Sequence, residues 1–201
     1  MFYSLKGTLT AVESNFIVVD CAGVGYKCMT SANTQRELST EIGNEVLVFT
    51  HLNVRQDAVD LFAFHKMDEL NCFKMLISVS GVGSRAGLAI LSEFNAEQIA
   101  MFISSGNSAG FTKVSGIGNK TAQRIVLELK DKLKSTGNKE NLIPMSGIAS
   151  ASKNITDAAQ ALAVLGYSQA DVMPFLVKFD SNLTTQKLIQ ETLKAMGKEV
   201  R

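Results

Sequence analysis

The chain has 201 residues, room for one domain of ordinary size or two to three small ones. Its 20 lysines and arginines face 19 aspartates and glutamates, so the net charge of +1 signals no anionic partner overall. A hydrophobic fraction of 46% excludes a wholly disordered chain. No apolar run approaches the roughly 18 residues a membrane helix needs, and the start, MFYSLKG, lacks the basic and apolar segments of a secretory leader. A soluble cytoplasmic protein with no membrane partner is therefore expected. The three cysteines, Cys21, Cys28 and Cys72, are odd in number and show no CxxC spacing, which fits free thiols better than a disulfide framework or a metal site.

Charge is uneven along the chain. Residues 1–64 hold 4 basic and 7 acidic side chains (−3), residues 65–137 hold 9 and 6 (+3), and residues 138–201 hold 7 and 6 (+1). An acidic head thus precedes a basic middle.

The first 64 residues read as strands. Tyr3–Leu9 alternates, Phe16–Val19 follows the Ser14-Asn15 turn, and Val24–Met29 follows Gly23. Glu45–Val54 and Val59–Phe64 complete five runs, with a short helical stretch expected within Ser31–Ser39. Five strands with a helix between the third and fourth is the order of an OB-type barrel. Any other small antiparallel barrel is the alternative.

From Lys66 the period changes, with Met67, Leu70, Phe73, Leu76 and Ile77 at helical spacing. Helices are expected to continue through Arg85–Leu91, Ala96–Ile103 and Lys120–Leu133. Residues 138–153, rich in Ser, Gly and Asn, read as a flexible linker. Three short helices then form residues 154–201. Thr156 is a candidate cap for the first of these, and Ser168 with Asp171 resembles a capping box at the second. The expected class is multidomain α+β: a barrel over 1–64, a central all-α domain over 65–137, the linker, and a three-helix bundle.

The strongest signal is an internal repeat. Val79-Ser80-Gly81-Val82-Gly83-Ser84-Arg85-Ala86 recurs 35 residues later as Val114-Ser115-Gly116-Ile117-Gly118-Asn119-Lys120-Thr121, with four of eight positions identical. Each copy lies between helical patterns, which reads as a tandem helix-hairpin-helix. The glycines admit backbone angles closed to other residues and a close approach by another backbone. Val82 and Ile117 plug each turn into the core. The next helix then presents unpaired N–H groups and its positive end to one phosphate, and Arg85 or Lys120 adds charge beside it. The candidate DNA-binding residues are Gly81, Val82, Gly83, Ser84 and Arg85 in the first hairpin. In the second they are Gly116, Ile117, Gly118, Asn119, Lys120 and Arg124. Lys113, Arg124, Lys130, Lys132 and Lys134 extend the basic surface or are a solvated helix face. With no side chain placed to read base edges, binding is expected to be sequence-independent and salt-sensitive. Gly81 to Ala86 also matches a dinucleotide fingerprint, which requires a strand before it and a second strand ending in an acid. Phe73–Val79 is the segment that would have to supply the first.

This order of elements resembles the RuvA family, the Holliday-junction-binding subunits of the bacterial branch-migration machine. Carrying the resemblance are Met1-Phe2-Tyr3, Leu5-Lys6-Gly7, Thr50-His51-Leu52-Asn53-Val54-Arg55-Gln56-Asp57-Ala58, both hairpins, and Ala163-Val164-Leu165-Gly166-Tyr167. It covers the whole chain. The resemblance implies a tetramer, or an octamer on DNA, that holds a four-way junction open and flat. It implies the hexameric ATPase RuvB and the junction resolvase RuvC as partners, in recombination and DNA repair. It implies that the linker and tail reach RuvB, with Leu162, Leu165, Tyr167 and Leu193 at the contact; the core of a tiny bundle is the other reading of these residues. It implies an acidic pin of two adjacent carboxylates between strands four and five. Here those positions are Gln56 and Asp57, so one carboxylate is an amide.

No catalytic constellation stands out. The histidines, His51 and His65, lie in or just after strands, and no clustered carboxylates suit a two-metal nuclease. The expectation is a non-enzymatic scaffold with no cofactor and no metal. A repair nuclease or glycosylase accessory domain carrying the same hairpins, and a protein adaptor, are the alternatives.

Overall fold

A computed structural model describes residues 2–136, 153–180 and 183–199. Five strands, β1 (Ser4–Val12), β2 (Phe16–Cys21), β3 (Val24–Met29), β4 (Glu45–Val54) and β5 (Val59–Phe64), close into a barrel in the order β1-β2-β3-β5-β4. Closure comes from β4 pairing back onto β1, from Ser4↔Phe49 to Thr8↔Glu45. β3 joins β5 in parallel at Met29↔Phe62. Helix α1 (Ala32–Leu38) sits between β3 and β4, so the barrel is of the OB type. Alternating inward positions, among them Leu5, Leu9, Ile17, Val19, Val46 and Val48, fill its core. β1 runs to Val12, past the end of the alternating pattern, because a register shift between Leu9 and Ala11 lets the strand keep pairing with β2 beyond the irregularity.

Contacts divide the chain into two compact units, Met1–Ile77 with Val82–Asn95, and Ser78–Gly81 with Ala96–Arg201. The first unit adds α2 (Met67–Ile77) and α3 (Ser84–Glu93) to the barrel. Phe73 of α2 stacks near Phe62 and Phe64 of β5, with ring centroids 5.0 Å apart in each case. α1 is tied to α3 by the Asn33 amide, which donates to the Leu91 and Phe94 carbonyls at 2.5 and 3.2 Å.

A buried acid organises the start of α1. Ser31 caps the helix, its hydroxyl accepting from Thr34 N–H at 3.1 Å. The Ser31 and Thr34 hydroxyls in turn donate to the two oxygens of Glu69 on α2, the latter at 2.6 Å. Desolvation raises the Glu69 pKa above its ordinary value of 4.5, although both hydroxyl donors pull it down. The folded state therefore holds the Glu69 proton more tightly than the unfolded chain. Its contribution to stability is full below about pH 4.5 and declines as pH rises through the raised folded value. Glu69→Gln, which cannot ionise, is expected to gain stability relative to the parent as pH rises. Urea unfolding of both proteins at pH 4.5 and pH 8 measures this, and a difference independent of pH would refute it.

The second unit contains α4 (Ala96–Ser105), a 3-10 turn (Ser108–Lys113), α5 (Asn119–Thr136), α6 (Lys153–Val164), α7 (Gln169–Leu176) and α8 (Thr185–Glu199). Ile99, Ile103, Phe111, Ile125 and Leu129 are fully buried in it. α6 lies against α4, α7 and α8. Thr156 falls inside α6 and does not cap it. The helix begins earlier, at Lys153, and the Asn154 amide donates to the Leu183 carbonyl at 3.0 Å. Ser168 caps α7 as expected: its hydroxyl accepts from Asp171 N–H at 3.2 Å and donates to the Asp171 carboxylate at 2.7 Å. Residues 138–152 of the expected linker lie outside the described residues.

Candidate nucleic-acid interface

The two hairpins have the same local build. The first glycine of each, Gly81 and Gly116, has φ of +87° and +85°, a region L side chains rarely adopt. The apolar residues at matching positions, Val79 and Val114, then Val82 and Ile117, are all buried. The second glycines open the following helices. The Gly83 carbonyl accepts from Gly87 N–H, and the Gly118 carbonyl from Ala122 N–H, both at 2.9 Å. Gly83 is the N-cap of α3 and offers no side-chain cap, so the first amides of α3 are left for an external acceptor. A Cβ at Gly83 or Gly118 would meet nothing within 4 Å. Arg85 and Lys120 are exposed just inside α3 and α5, and neither forms an ion pair among the described residues. Ser84 is half-buried, and Asn119 is exposed at the start of α5. What precedes Gly81 is α2, not a strand, so the dinucleotide-fold alternative lacks its first element.

Arg124 stands differently from the other candidate residues. Its Nη1 donates to the Ser80 carbonyl at 3.3 Å, and its Nε lies 3.7 Å from Glu128. Glu128 accepts from Ser80 N–H at 3.4 Å, and Lys132 donates to the Ser78 carbonyl and hydroxyl at 3.0 and 2.8 Å. Positions 124, 128 and 132 share one face of α5, so this ladder grips the segment that enters the first hairpin. The spacing is visible in the sequence; its target is not. Lys130 donates to the Ser104 carbonyl at 3.3 Å, whereas Lys113 is exposed.

The β4–β5 hairpin carries the acidic tip. Arg55 N–H donates to the Ala58 carbonyl at 2.8 Å, and the Arg55 guanidinium pairs with Asp60 at 2.8 Å. Gln56 and Asp57 are exposed between them. In the tail, Leu162 and Leu165 are buried in the helical core, and Tyr167 and Leu193 are half-buried. Tyr167 N–H donates to the Leu162 carbonyl at 3.2 Å across Gly166, whose φ is +91°.

Burial perturbs His51, Cys28 and Cys72. His51 packs against Phe62 and Phe73, and burial together with Lys74 lowers its pKa. Burial pushes the Cys28 thiol up to about 12 and raises Cys72 as well. Among the described residues no group of three or more His, Cys, Asp or Glu is placed to hold a metal ion, and no helix is long and apolar enough to cross a membrane.

Residues 1–63 match the family described as "RuvA N terminal domain", and residues 73–131 match "SAM-like Helix-hairpin-helix tandem". A protein of Clostridium perfringens is 36% identical over 200 residues, covering 98% of this chain and 99% of its own. One of Acetivibrio thermocellus is 36% identical over 202 residues, covering 98% and 100%. One of Clostridium botulinum is 34% identical over 198 residues, again covering 98% and 100%. Each of the three carries the name Holliday junction branch migration complex subunit RuvA.

Proposed function

The chain belongs to the RuvA family, and from that premise we propose that it is a non-catalytic scaffold that binds four-way DNA junctions, holds them open and planar, and loads the RuvB ATPase for branch migration. One observation carries the reading: two hairpins of the same build, each ending in a glycine-opened helix whose second residue is basic and forms no ion pair among the described residues. Each offers backbone N–H donors and one cation to a single phosphate, the chemistry of sequence-independent backbone binding. Arg124 serves as a brace for the first hairpin more than as a phosphate ligand, because Ser80 and Glu128 already engage it.

The functional division is a barrel over 1–64, the hairpin domain over 65–137, a linker over 138–153 and a RuvB-binding tail over 154–201. A homotetramer is the assembled form. Tyr3 and Leu47 are exposed on the barrel, Tyr3 edge-on to Phe49 at 6.4 Å, which supplies apolar surface for a second copy. Tyr167 and Leu193 are the accessible part of the tail's contact with RuvB, with Leu162 and Leu165 shaping it from within. RuvC is a further partner in the cytoplasm.

At the junction centre each copy brings Asp57 beside the neutral Gln56, so the tip repels phosphates with one charge per subunit. Binding of a fixed four-way junction and of linear duplex, compared at two salt concentrations, tests the reading. A strong junction preference and a steep loss with salt are expected, and equal binding of both DNAs would overturn it. Asp57→Asn is expected to tighten junction binding by a few fold and to slow RuvB-driven migration. An unchanged migration rate would remove the carboxylate from the mechanism. Cleavage of the junction by this chain with magnesium alone would overturn its non-catalytic character.

A further inference from the structure

We infer that Asn53 is a positioning residue that couples the acidic tip of the β4–β5 hairpin to the phosphate grip of the first helix-hairpin-helix. The inference rests on the junction-binding reading given above. The Asn53 amide Nδ2 donates to the Ser84 hydroxyl at 3.1 Å. Ser84 is the first residue of α3, the helix whose N-cap, Gly83, brings no side chain to the orphaned amides. A hydroxyl carries one proton and two lone pairs. With a lone pair occupied by the Asn53 amide, the Ser84 proton remains free for an acceptor at the helix end. Asn53 therefore turns an otherwise freely rotating hydroxyl into an oriented donor beside the α3 amides.

The strand context gives this contact its reach. Asn53 faces Asp60 across the β4–β5 pair, and Asp60 is the partner of Arg55, which roots the Gln56-Asp57 tip. One pleat back, His51 lies on the same face of β4 and packs edge-on against Phe73 of α2, at 5.8 Å between centroids. Phe73 also bounds α3 closely: a Cβ at Gly87 would lie 3.2 Å from its ring. β4 thus seats α2 through His51 and the start of α3 through Asn53. A junction subunit must hold its central tip and its phosphate grip at one fixed spacing, and Asn53 is the polar link that sets it.

A double-mutant cycle of Asn53→Ala, Ser84→Ala and the pair tests this, read as Kd for a four-way junction and for linear duplex, with thermal midpoints alongside. Each single change is expected to weaken junction binding about tenfold, the value of one charge-assisted hydrogen bond, and duplex binding by less. The pair is expected to be no worse than either single change, because Asn53→Ala unlocks and Ser84→Ala deletes one and the same oriented hydroxyl. Midpoints are expected to fall by no more than a few degrees, which separates positioning from a structural role. Parent-like junction binding by Asn53→Ala, or losses that multiply in the pair, would overturn the inference. If Asn53→Ala does not fold, Ser84→Ala alone decides, and parent-like binding by it overturns the inference equally. Absence of junction preference in the unaltered chain would overturn the underlying reading and the coupling with it, and it is told apart because it appears before any substitution.

Discussion

Replacing Gly83 and Gly118 together by alanine is expected to weaken junction binding about a hundredfold while leaving the fold nearly intact. Neither position needs glycine for the protein's own sake. Gly83 has φ of −84°, open to any residue, and an added Cβ at either site meets nothing within 4 Å. The folding cost is that of alanine at a helix N-cap, about 1 kcal/mol or less at each site. What the methyl groups occupy is the space outside the helix ends, where a phosphate must approach the first amides. Losing one such hydrogen-bonded contact costs about 1.5 kcal/mol, close to tenfold, and two sites give the hundredfold. The matched control is Gly81→Ala with Gly116→Ala. There φ near +86° strains any L residue, so stability and binding are expected to fall together. Fluorescence anisotropy with a labelled junction, alongside thermal melts, separates the two pairs. Parent-like affinity in the Gly83/Gly118 variant would show that the helix ends do not touch the DNA backbone.

That contrast also marks what the sequence could and could not tell. The repeat itself announced the glycine positions, and the apolar plugs Val82 and Ile117 are buried as their placement implied. The strands Val24–Met29, Glu45–Val54 and Val59–Phe64 have the bounds read from the sequence, and over Glu45–Thr50 buried positions alternate with more exposed ones because a half-buried barrel wall imposes a period of two. Local rules also found the Ser168 cap, whose two hydrogen bonds to Asp171 span only three residues. Tertiary partners were beyond such rules. By its place in the sequence Arg124 is a candidate DNA-binding residue and Lys132 an extension of the basic surface or a solvated helix face, and only the fold shows them gripping Ser80 and Ser78, 44 and 54 positions away. Nothing in the residues beside Glu69 marks it as buried, yet it is, because Ser31 and Thr34 supply its donors from 38 and 35 positions away. The 3-10 turn at Ser108–Lys113 leaves no mark in the sequence, because i→i+3 bonding has no long periodic signature.

Gly7→Ala is expected to produce the opposite phenotype from Gly83→Ala: a large loss of stability with no direct effect on DNA contact. Gly7 lies in β1 opposite Val46 of β4, and β2 passes close on its other side. An ideal Cβ there would stand 2.1 Å from the Asp20 carbonyl oxygen and 2.9 Å from both its carbon and the Cys21 sulfur. Two of those three atoms are backbone, so relief requires β2 to move away from β1 and strain the Thr8↔Asp20 pairing. Overpacking that side chains absorb costs about 1–3 kcal/mol. A backbone obstacle places this case at the top of that range or above, about 3 kcal/mol, which lowers the barrel's midpoint by about 10–20 °C. The Cys21 sulfur provides an internal control. Adding Cys21→Ala removes one of the three close atoms but leaves the carbonyl in place, so the double variant is expected to recover little stability. Full recovery would instead identify the sulfur as the obstacle and show that the strands can part to admit a methyl group. At temperatures where Gly7→Ala is still folded, each hairpin keeps its glycines, its open helix end and its basic residue, so the folded fraction should bind junction DNA with close to parental affinity.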